Sequence, residues 1–467
     1  MKTYIPRPCQ IPMIEFLGAN RRCALWAGMG VGKGSTVLTY LDAVYNVMGE
    51  SAPTLIIGPK RVARDVWPEE QKKWRHLQGL EIAVAVGDAD ARRAALARDV
   101  PIVTVNYDVL PQLVDHYAER KKAWPFKRVV ADESSKLRGF RLKQGGVQTA
   151  ALGRHAHKDV TDFIQLTGTP APNGLKTLWG STWFLDAGQR LGRTYSSYME
   201  RWFQTLPGPR GLSQVRELPH AQDEIQHLLR DIVLTIDPKD WFDLREPLVN
   251  TVEVTMPAHA RAKYRDMEKE AFVAFESGEE VEAFAAGAKR QKCVQLASGA
   301  IYLDPERYGP GKWVETHHGK LEALESIVEE AGGMPVLVAI WFKSSRERIL
   351  RAFTGAVDLA TDDGMAAFRA GAAPIGIAHP ASLGHGIDGL QDVTCQVAFF
   401  DQFDDLELAQ QIVERIGPMR QYQSGHDRLV TIHNIVAKGT LDEDIVERRR
   451  TKASVQDMLR DAMRRRA

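Results

Sequence analysis

Apolar residues fall in short, mostly β-branched runs along the first third of the chain: Cys23 to Trp26, Thr54 to Ile57, Ile82 to Val86, Ile102 to Val105 and Val129 to Ala131. Helical or charged stretches such as Arg61 to Trp74 separate them, and from Thr36 to Val47 the apolar positions recur at helical spacing. Strand-length runs alternating with helical segments predict a parallel sheet with crossover helices. Turn-forming residues follow several runs directly, at Gly58-Pro59, Gly87-Asp88 and Asn106-Tyr107-Asp108. Functional residues are expected at those carboxyl ends.

The pattern changes after about Trp183. From Arg190 to Ala300 helical spacing dominates, as at Ile225 to Ile232 and Ala260 to Phe275, with a Pro/Gly-rich break from Leu206 to Gly211 and one strand expected at Val249 to Val254. A second alternating section begins near His318, with a helix over Lys320 to Glu330 and strands over Val336 to Phe342 and Pro374 to Ala378. The end, Asp442 to Arg466, is expected to be helical, and its basic clusters at Arg448 to Arg450 and Arg464 to Arg466 read first as a solvated helix face. The expected organisation is therefore α/β, with one lobe over 1–188, a mainly helical insertion over 189–312 and a second lobe with a charged helical tail over 313–467.

Composition narrows the function classes. The 467 residues are 44% hydrophobic and 26% charged, enough to bury two sizeable cores. Lys plus Arg number 61 against 60 Asp plus Glu, so a nucleic-acid partner would be held by local basic surface. Cys9, Cys23, Cys293 and Cys395 lie far apart without a CxxC pair, which argues against a disulfide framework or a zinc site and fits a reducing cytoplasm. The longest strongly apolar stretch, Pro335 to Phe342, is too short to cross a bilayer, and the N-terminus lacks an apolar leader core, so a soluble protein is expected.

Three segments carry chemistry. Ala27 to Thr36 reads AGMGVGKGST, a glycine-rich loop between a strand and a helix. Backbone N–H groups around Gly28, Gly30, Gly32 and Gly34 can wrap phosphates, and Lys33 can reach the outer ones. Gly34 stands where such loops carry the Ser or Thr that ligates Mg²⁺, so the metal contact is either lost or moved to Ser35. Val129 to Ala131 leads into Asp132-Glu133, where strand alternation sends the two carboxylates to different sides. Asp132 suits Mg²⁺ and Glu133 suits activation of an attacking water, although an acidic strand end can also simply cap a helix. Gln165 to Pro170 reads QLTGTP, followed by Asn173.

In this order the loop, the acidic pair and LTGTP resemble the superfamily-two helicases and, with further matches, their Swi/Snf-type DNA translocase branch. Arg7-Pro8-Cys9-Gln10 is similar to the adenine-recognising glutamine motif, and Ile57 to Lys60 with Trp67 and Trp74 to the segment after it. Val338 to Phe342 resembles the first strand of the family's second lobe, Ala381 to Asp388 its glycine-rich fifth motif, and Gln410 to Gln421 its sixth. The DESS box and the ERIGPMRQ segment resemble most the compact members encoded by bacteriophages.

The resemblance implies two tandem RecA-like lobes, with ATP and Mg²⁺ bound through Gln10, the glycine loop, Gly386 and Asp388. It implies catalysis by Lys33, Asp132, Glu133, Arg415 and Arg420, metal ligation by Asp132 and Ser35, and coupling through Thr167, Thr169 and Gln411. The usual second arginine of the sixth motif is replaced by Pro418, and a tight turn at Gly417-Pro418 is expected to bring Arg420 back toward the phosphates. Double-stranded DNA would be held at its phosphates by Lys60, Arg61, Lys136, Ser382 and His385, with Arg64 and Arg138 as further candidates; for each basic residue a solvated surface is the competing reading. Phage replication or recombination proteins are candidate partners, host-cell cytoplasm the expected location and a monomer the expected state. His317-His318, His155/His157 and His379/His385 lack acidic or cysteine partners at ligand spacing, so no metal beyond the nucleotide's Mg²⁺ is expected. The expected function is an ATP-driven motor on duplex DNA; the alternative is an ATP-binding DNA or protein clamp with little or no hydrolysis.

Overall fold

The structure is a computed structural model that describes residues 1–143, 145–172, 174–207, 213–276, 280–383 and 388–464. The chain divides into two compact units. The first comprises Met1–Leu206 and Val215–Asp243, joined by the end of the chain from Ala453; the second comprises chiefly Leu244–Lys452.

Seven parallel strands form the sheet of the first unit: β1 (Arg22–Ala27), β2 (Thr54–Gly58), β3 (Ile82–Val84), β4 (Ile102–Asn106), β5 (Arg128–Asp132), β6 (Asp162–Thr167) and β7 (Val233–Ile236), in the order β3-β4-β2-β5-β6-β1-β7. Side chains alternate between two faces, as strand geometry requires. Ala24, Trp26, Leu55, Ile57, Val129 and Ala131 enter one core, and Cys23, Leu25, Ile56, Val130 and Ile164 enter the other. With helices over both faces, the strands are apolar almost throughout, the composition that a doubly covered parallel sheet needs.

Two arginines fix the amino-terminal edge of this sheet. Arg22 donates to the carbonyls of Ala156, Val160, Phe184 and Leu185 at 2.7–2.9 Å, tying the start of β1 to the ends of two helices. Arg128 at the start of β5 is buried and pairs with Asp162 directly across on β6 at 2.7 Å and with Glu50 at 2.8 Å.

The second unit carries six parallel strands: β8 (Leu248–Val254), β9 (Val336–Ala339), β10 (Val357–Asp358), β11 (Ile375–Ala378), β12 (Gln396–Phe399) and β13 (Thr431–Ala437), ordered β8-β13-β12-β9-β11-β10. Leu337 and Ala339 face one core, and Val336 and Val338 the other. Two parallel sheets covered by helices are the α/β architecture expected from the sequence.

The stretch 189–312, expected as one mainly helical insertion, is shared between the units. The run Val233-Leu234-Thr235-Ile236 completes the edge of the first sheet beside β1, and β8 forms an edge of the second beside β13. Both strands are short and rich in β-branched residues, so sheet pairing overrides the helical spacing around them. The helices Ala258–Glu276 and Glu280–Ser298 belong with the second unit. The four cysteines are all free and buried. Among the described residues no helix is long and apolar enough to cross a membrane.

Candidate nucleotide site

Helices α1 (Gln10–Ala19) and α2 (Lys33–Asp42) flank the glycine loop, which runs from the end of β1 into α2. Gly30 and Gly32 have φ of 79° and 90°, the left-handed region that glycine enters without steric cost. At Gly32 the space is closed as well: a side-chain carbon there would lie 2.3 Å from Gln10 Nε2. The loop therefore turns its amides through a path that other residues would block.

Gln10 is 3% exposed and faces this backbone. Its amide nitrogen donates to the Gly32 carbonyl at 3.2 Å and to Ser35 Oγ at 3.1 Å, while its oxygen accepts from the Arg7 amide at 2.8 Å. Arg7 in turn donates to the Gly30 carbonyl at 2.8 Å. The segment read as adenine-recognising thus also holds the glycine loop in this geometry. Ser35 Oγ, expected to compensate for Gly34, donates to the Gly32 carbonyl at 2.9 Å. Thr36 Oγ1 bonds to the same carbonyl at 2.9 Å. Both hydroxyls after Gly34 are held by the loop itself. Lys33 Nζ donates to the carbonyls of Ala27 and Gly28 at 2.7 and 3.1 Å, which holds the ammonium against the strand end.

Three adjacent strands converge here. In the register of β5, β6 and β1, Asp132 lies beside Leu166, and Thr167 beside Trp26. By alternation Asp132 falls on the face of Val130, where Trp67 packs, and Trp67 Nε1 donates to Asp132 Oδ2 at 3.1 Å. Asp132 Oδ1 accepts the Glu133 amide at 3.0 Å, and Tyr107 Oη donates to the Asp132 carbonyl at 2.8 Å. Glu133 has φ 51° and ψ 55°, a left-handed conformation that costs a non-glycine residue about 1 kcal/mol or more. This strained residue ends the strand at Asp132, so strand alternation no longer sets the side to which Glu133 points. Trp67, to which the resemblance points, and Tyr107, expected only as a turn residue, both hold Asp132 here.

Thr167 and Thr169 are buried, and Thr167 Oγ1 accepts the Thr169 amide at 3.0 Å. A side-chain carbon on Gly168, between them, would lie 3.6 Å from the Ala27 carbonyl, so the TGT segment lies against the root of the glycine loop. Lys60 and Arg61 follow β2, and Lys136 follows β5; all three are exposed at the carboxyl ends of neighbouring strands. Arg64 is paired with Asp65 at 2.8 Å, and Arg138 donates to the Ser135 carbonyl at 3.3 Å.

The remaining candidates lie in the second unit. Helix α3 (Gly319–Glu330) packs under its sheet, and α4 (Leu406–Glu414) carries Gln411, 2% exposed, with Arg415, 7% exposed, as its C-cap. The turn expected at Gly417-Pro418 is replaced by a helix start: Gly417 is the N-cap and Pro418 the first residue of α5 (Pro418–Gln423). Proline at that position needs no partner for a missing N–H, which favours the helix over a turn. Arg420 lies on α5, and its guanidinium pairs with Asp388 at 2.6 Å. Ser382 is exposed, its hydroxyl donating to the His379 carbonyl at 2.7 Å. Asn173, His385 and Gly386 lie outside the described residues. Among the described residues no group of three or more His, Cys, Asp or Glu forms a metal cluster.

A family model described as SNF2-related domain matches residues 13–295. The chain is 48% identical over 470 residues to protein p41 of Acyrthosiphon pisum secondary endosymbiont phage 1, covering 100% of both. It is 27% identical over 182 residues to SWI/SNF-related matrix-associated actin-dependent regulator of chromatin subfamily A member 1 of Homo sapiens, a match spanning 38% of this chain and 16% of that protein. A solved structure titled Sulfolobus solfataricus SWI2/SNF2 ATPase core in complex with dsDNA aligns over 98% of this chain and 94% of that one, at 21% identity and a TM-score of 0.44. With more than half of its length matched by that family model, and with a full-length phage relative, the chain belongs to the SNF2-related family of Swi/Snf-type, helicase-like proteins.

Proposed function

We propose that the protein is a DNA-dependent ATPase that couples ATP hydrolysis to movement along duplex DNA. The observation that carries this reading is the meeting, at the ends of β1, β5 and β6, of a left-handed glycine loop with Lys33, the Asp132-Glu133 pair and the TGT segment.

The residues fit a magnesium nucleotide. Bound there, it would supply the phosphoanhydride whose cleavage powers the motor. Lys33 provides a cation at the loop, and the amides around Gly30 and Gly32 provide donors for phosphate oxygens. Asp132 is the carboxylate for the metal, oriented by Trp67 and the Glu133 amide. Glu133 holds the proton taken from an attacking water. Arg415 and Arg420 are the arginines we assign to stabilising charge on the phosphates. Thr167, Thr169 and Gln411 couple the site to DNA held at Lys60, Arg61, Lys136, Ser382 and His385.

Magnesium ligation is where this chain departs from its family. Ser35 reaches a cation only by giving up its bond to the Gly32 carbonyl, so Asp132 with water is the ligand set we favour. Gly34 has room for the usual residue: its φ is not positive, and an added carbon would meet only Glu70 Cγ at 3.8 Å. Gly34→Thr is therefore expected to fold normally and to lower the Mg²⁺ concentration at half-maximal hydrolysis by about tenfold, the equivalent of ~1.4 kcal/mol from one added oxygen ligand. A magnesium titration of the two proteins checks this.

The motor reading is tested by measuring ATP hydrolysis with and without duplex DNA, together with displacement of a triplex-forming strand from that duplex. Stimulation by DNA and ATP-dependent displacement are expected. Negligible hydrolysis in both tubes would leave the nucleotide-clamp alternative in its place.

A further inference from the structure

The second unit holds a cavity of about 340 Å³ at the amino end of α3, bordered by Thr255, His259, Thr316, His317 and Gly319. Two polar atoms of its border, Thr316 Oγ1 and His317 Nδ1, are buried and have no hydrogen-bond partner in the protein. Such atoms are costly unless something satisfies them. His317 is 3% exposed.

The chemistry of Nδ1 follows from the other ring nitrogen. Nε2 lies 2.9 Å from the Leu296 carbonyl, which only accepts, so Nε2 carries the hydrogen and Nδ1 presents a lone pair. Burial, with the nearby Arg348 guanidinium, pushes the imidazole pKa down to about 4, so the ring is neutral at ordinary pH. Nδ1 asks for a donor.

The neighbouring groups ask for an acceptor. Nδ1 faces the first residue of α3, since a side-chain carbon on Gly319 would lie 3.6 Å from it. The N-cap of this 12-residue helix, His318, makes no side-chain capping bond, so its first turn presents amides and the positive end of the helix dipole. Two carboxylates also line the cavity: Glu315, surrounded by Arg348 Nε at 2.6 Å, Arg351 Nη2 at 2.5 Å and His318 Nδ1 at 3.2 Å, and Glu322, exposed in the first turn of α3 where its charge turns to solvent.

A ligand group that donates one hydrogen while accepting several is a protonated oxyanion. We propose that this cavity binds a phosphoryl group in its monoprotonated form, as free monohydrogen phosphate or as a monoester. Its O–H donates to His317 Nδ1, and its charged oxygens accept from the amino end of α3 and from Thr316 Oγ1. Sulfate has the same shape but no proton at neutral pH, so it would set an acceptor against a lone pair. The expected preference for phosphate over sulfate is about 10–100-fold.

The test titrates the full-length protein with inorganic phosphate, sulfate and methyl phosphate while following the His317 ring nitrogens by NMR, so that binding at the glycine loop is not counted. The signals are assigned by their loss in His317→Asn. Saturable movement of Nδ1 with phosphate, at least tenfold weaker with sulfate, supports the site; equal response to methyl phosphate identifies a monoester ligand, and response to inorganic phosphate alone identifies the free ion. Thr316→Val, checked for an unchanged melting temperature, is expected to weaken phosphate several-fold. An unmoved Nδ1 signal, or equal affinity for phosphate and sulfate, would overturn the proposal.

Discussion

Glu133→Gln is expected to lower DNA-stimulated ATP hydrolysis by about 10²–10⁴-fold, the usual value of a positioned general base, while ATP binding persists. The substitution is clean for a local reason. Glu133 sits at φ 51°, and glutamine bears the same steric cost there, so the backbone turn that ends β5 is left as it was. The Glu133 amide still donates to Asp132 Oδ1, which keeps the neighbouring carboxylate in place. The carboxylate proposed as proton acceptor is replaced by an amide. Single-turnover hydrolysis beside an equilibrium binding measurement with a fluorescent nucleotide separates the two effects. Hydrolysis within a factor of a few of the parent would mean that another group takes the proton.

The second large effect is on stability. Lys320 on α3 and Asp442, in the first turn of the terminal helix α6 (Leu441–Arg464), form an ion pair of 2.6 Å with both side chains fully buried. Lys320 Nζ also donates to the Phe400 carbonyl at 3.0 Å, and Asp442 Oδ2 accepts the Ala437 amide at 3.1 Å, so α3, α6 and the ends of β12 and β13 meet at this pair. Lys320→Met fits the volume but leaves the carboxylate buried without its cation, and is expected to cost about 3–5 kcal/mol. Removing both charges with Lys320→Met and Asp442→Leu is expected to recover most of that loss, because desolvation of the ions disappears with them. Urea unfolding of the parent, the single and the double variant checks this; equal losses in both variants would show that packing, not charge, holds the junction.

Much of the fold was legible because a covered parallel sheet writes itself as short apolar runs with turns at their carboxyl ends. Cys23 to Trp26, Thr54 to Ile57 and Val129 to Ala131 all became central strands of one sheet. The loop at Gly30 and Gly32 was equally readable, since only glycine takes those angles with Gln10 packed so close. Strand Val233–Ile236 was hidden because its partner, β1, lies some two hundred residues earlier, and pairing at that separation leaves no local period. Local pattern also could not reveal directions of side chains. The hydroxyl of Ser35 turns inward to Gly32, and Gln10 faces the loop, because Arg7 and the loop carbonyls are placed by tertiary packing. Proline at 418 was compatible with both a turn and a helix start, and α5 took the second.

The parallel pairing of Leu248–Val254 with Thr431–Ala437 sets an order of events during synthesis. The edge strand leaves the ribosome well before this neighbour exists, and at 5–20 residues per second the wait is roughly ten to forty seconds. Leu248 and Val249 remain exposed even in the finished sheet, so during that interval a sticky strand is on offer to other chains. The second sheet can close only once Thr431–Ala437 has emerged, whereas the first sheet is complete once Ile236 has emerged.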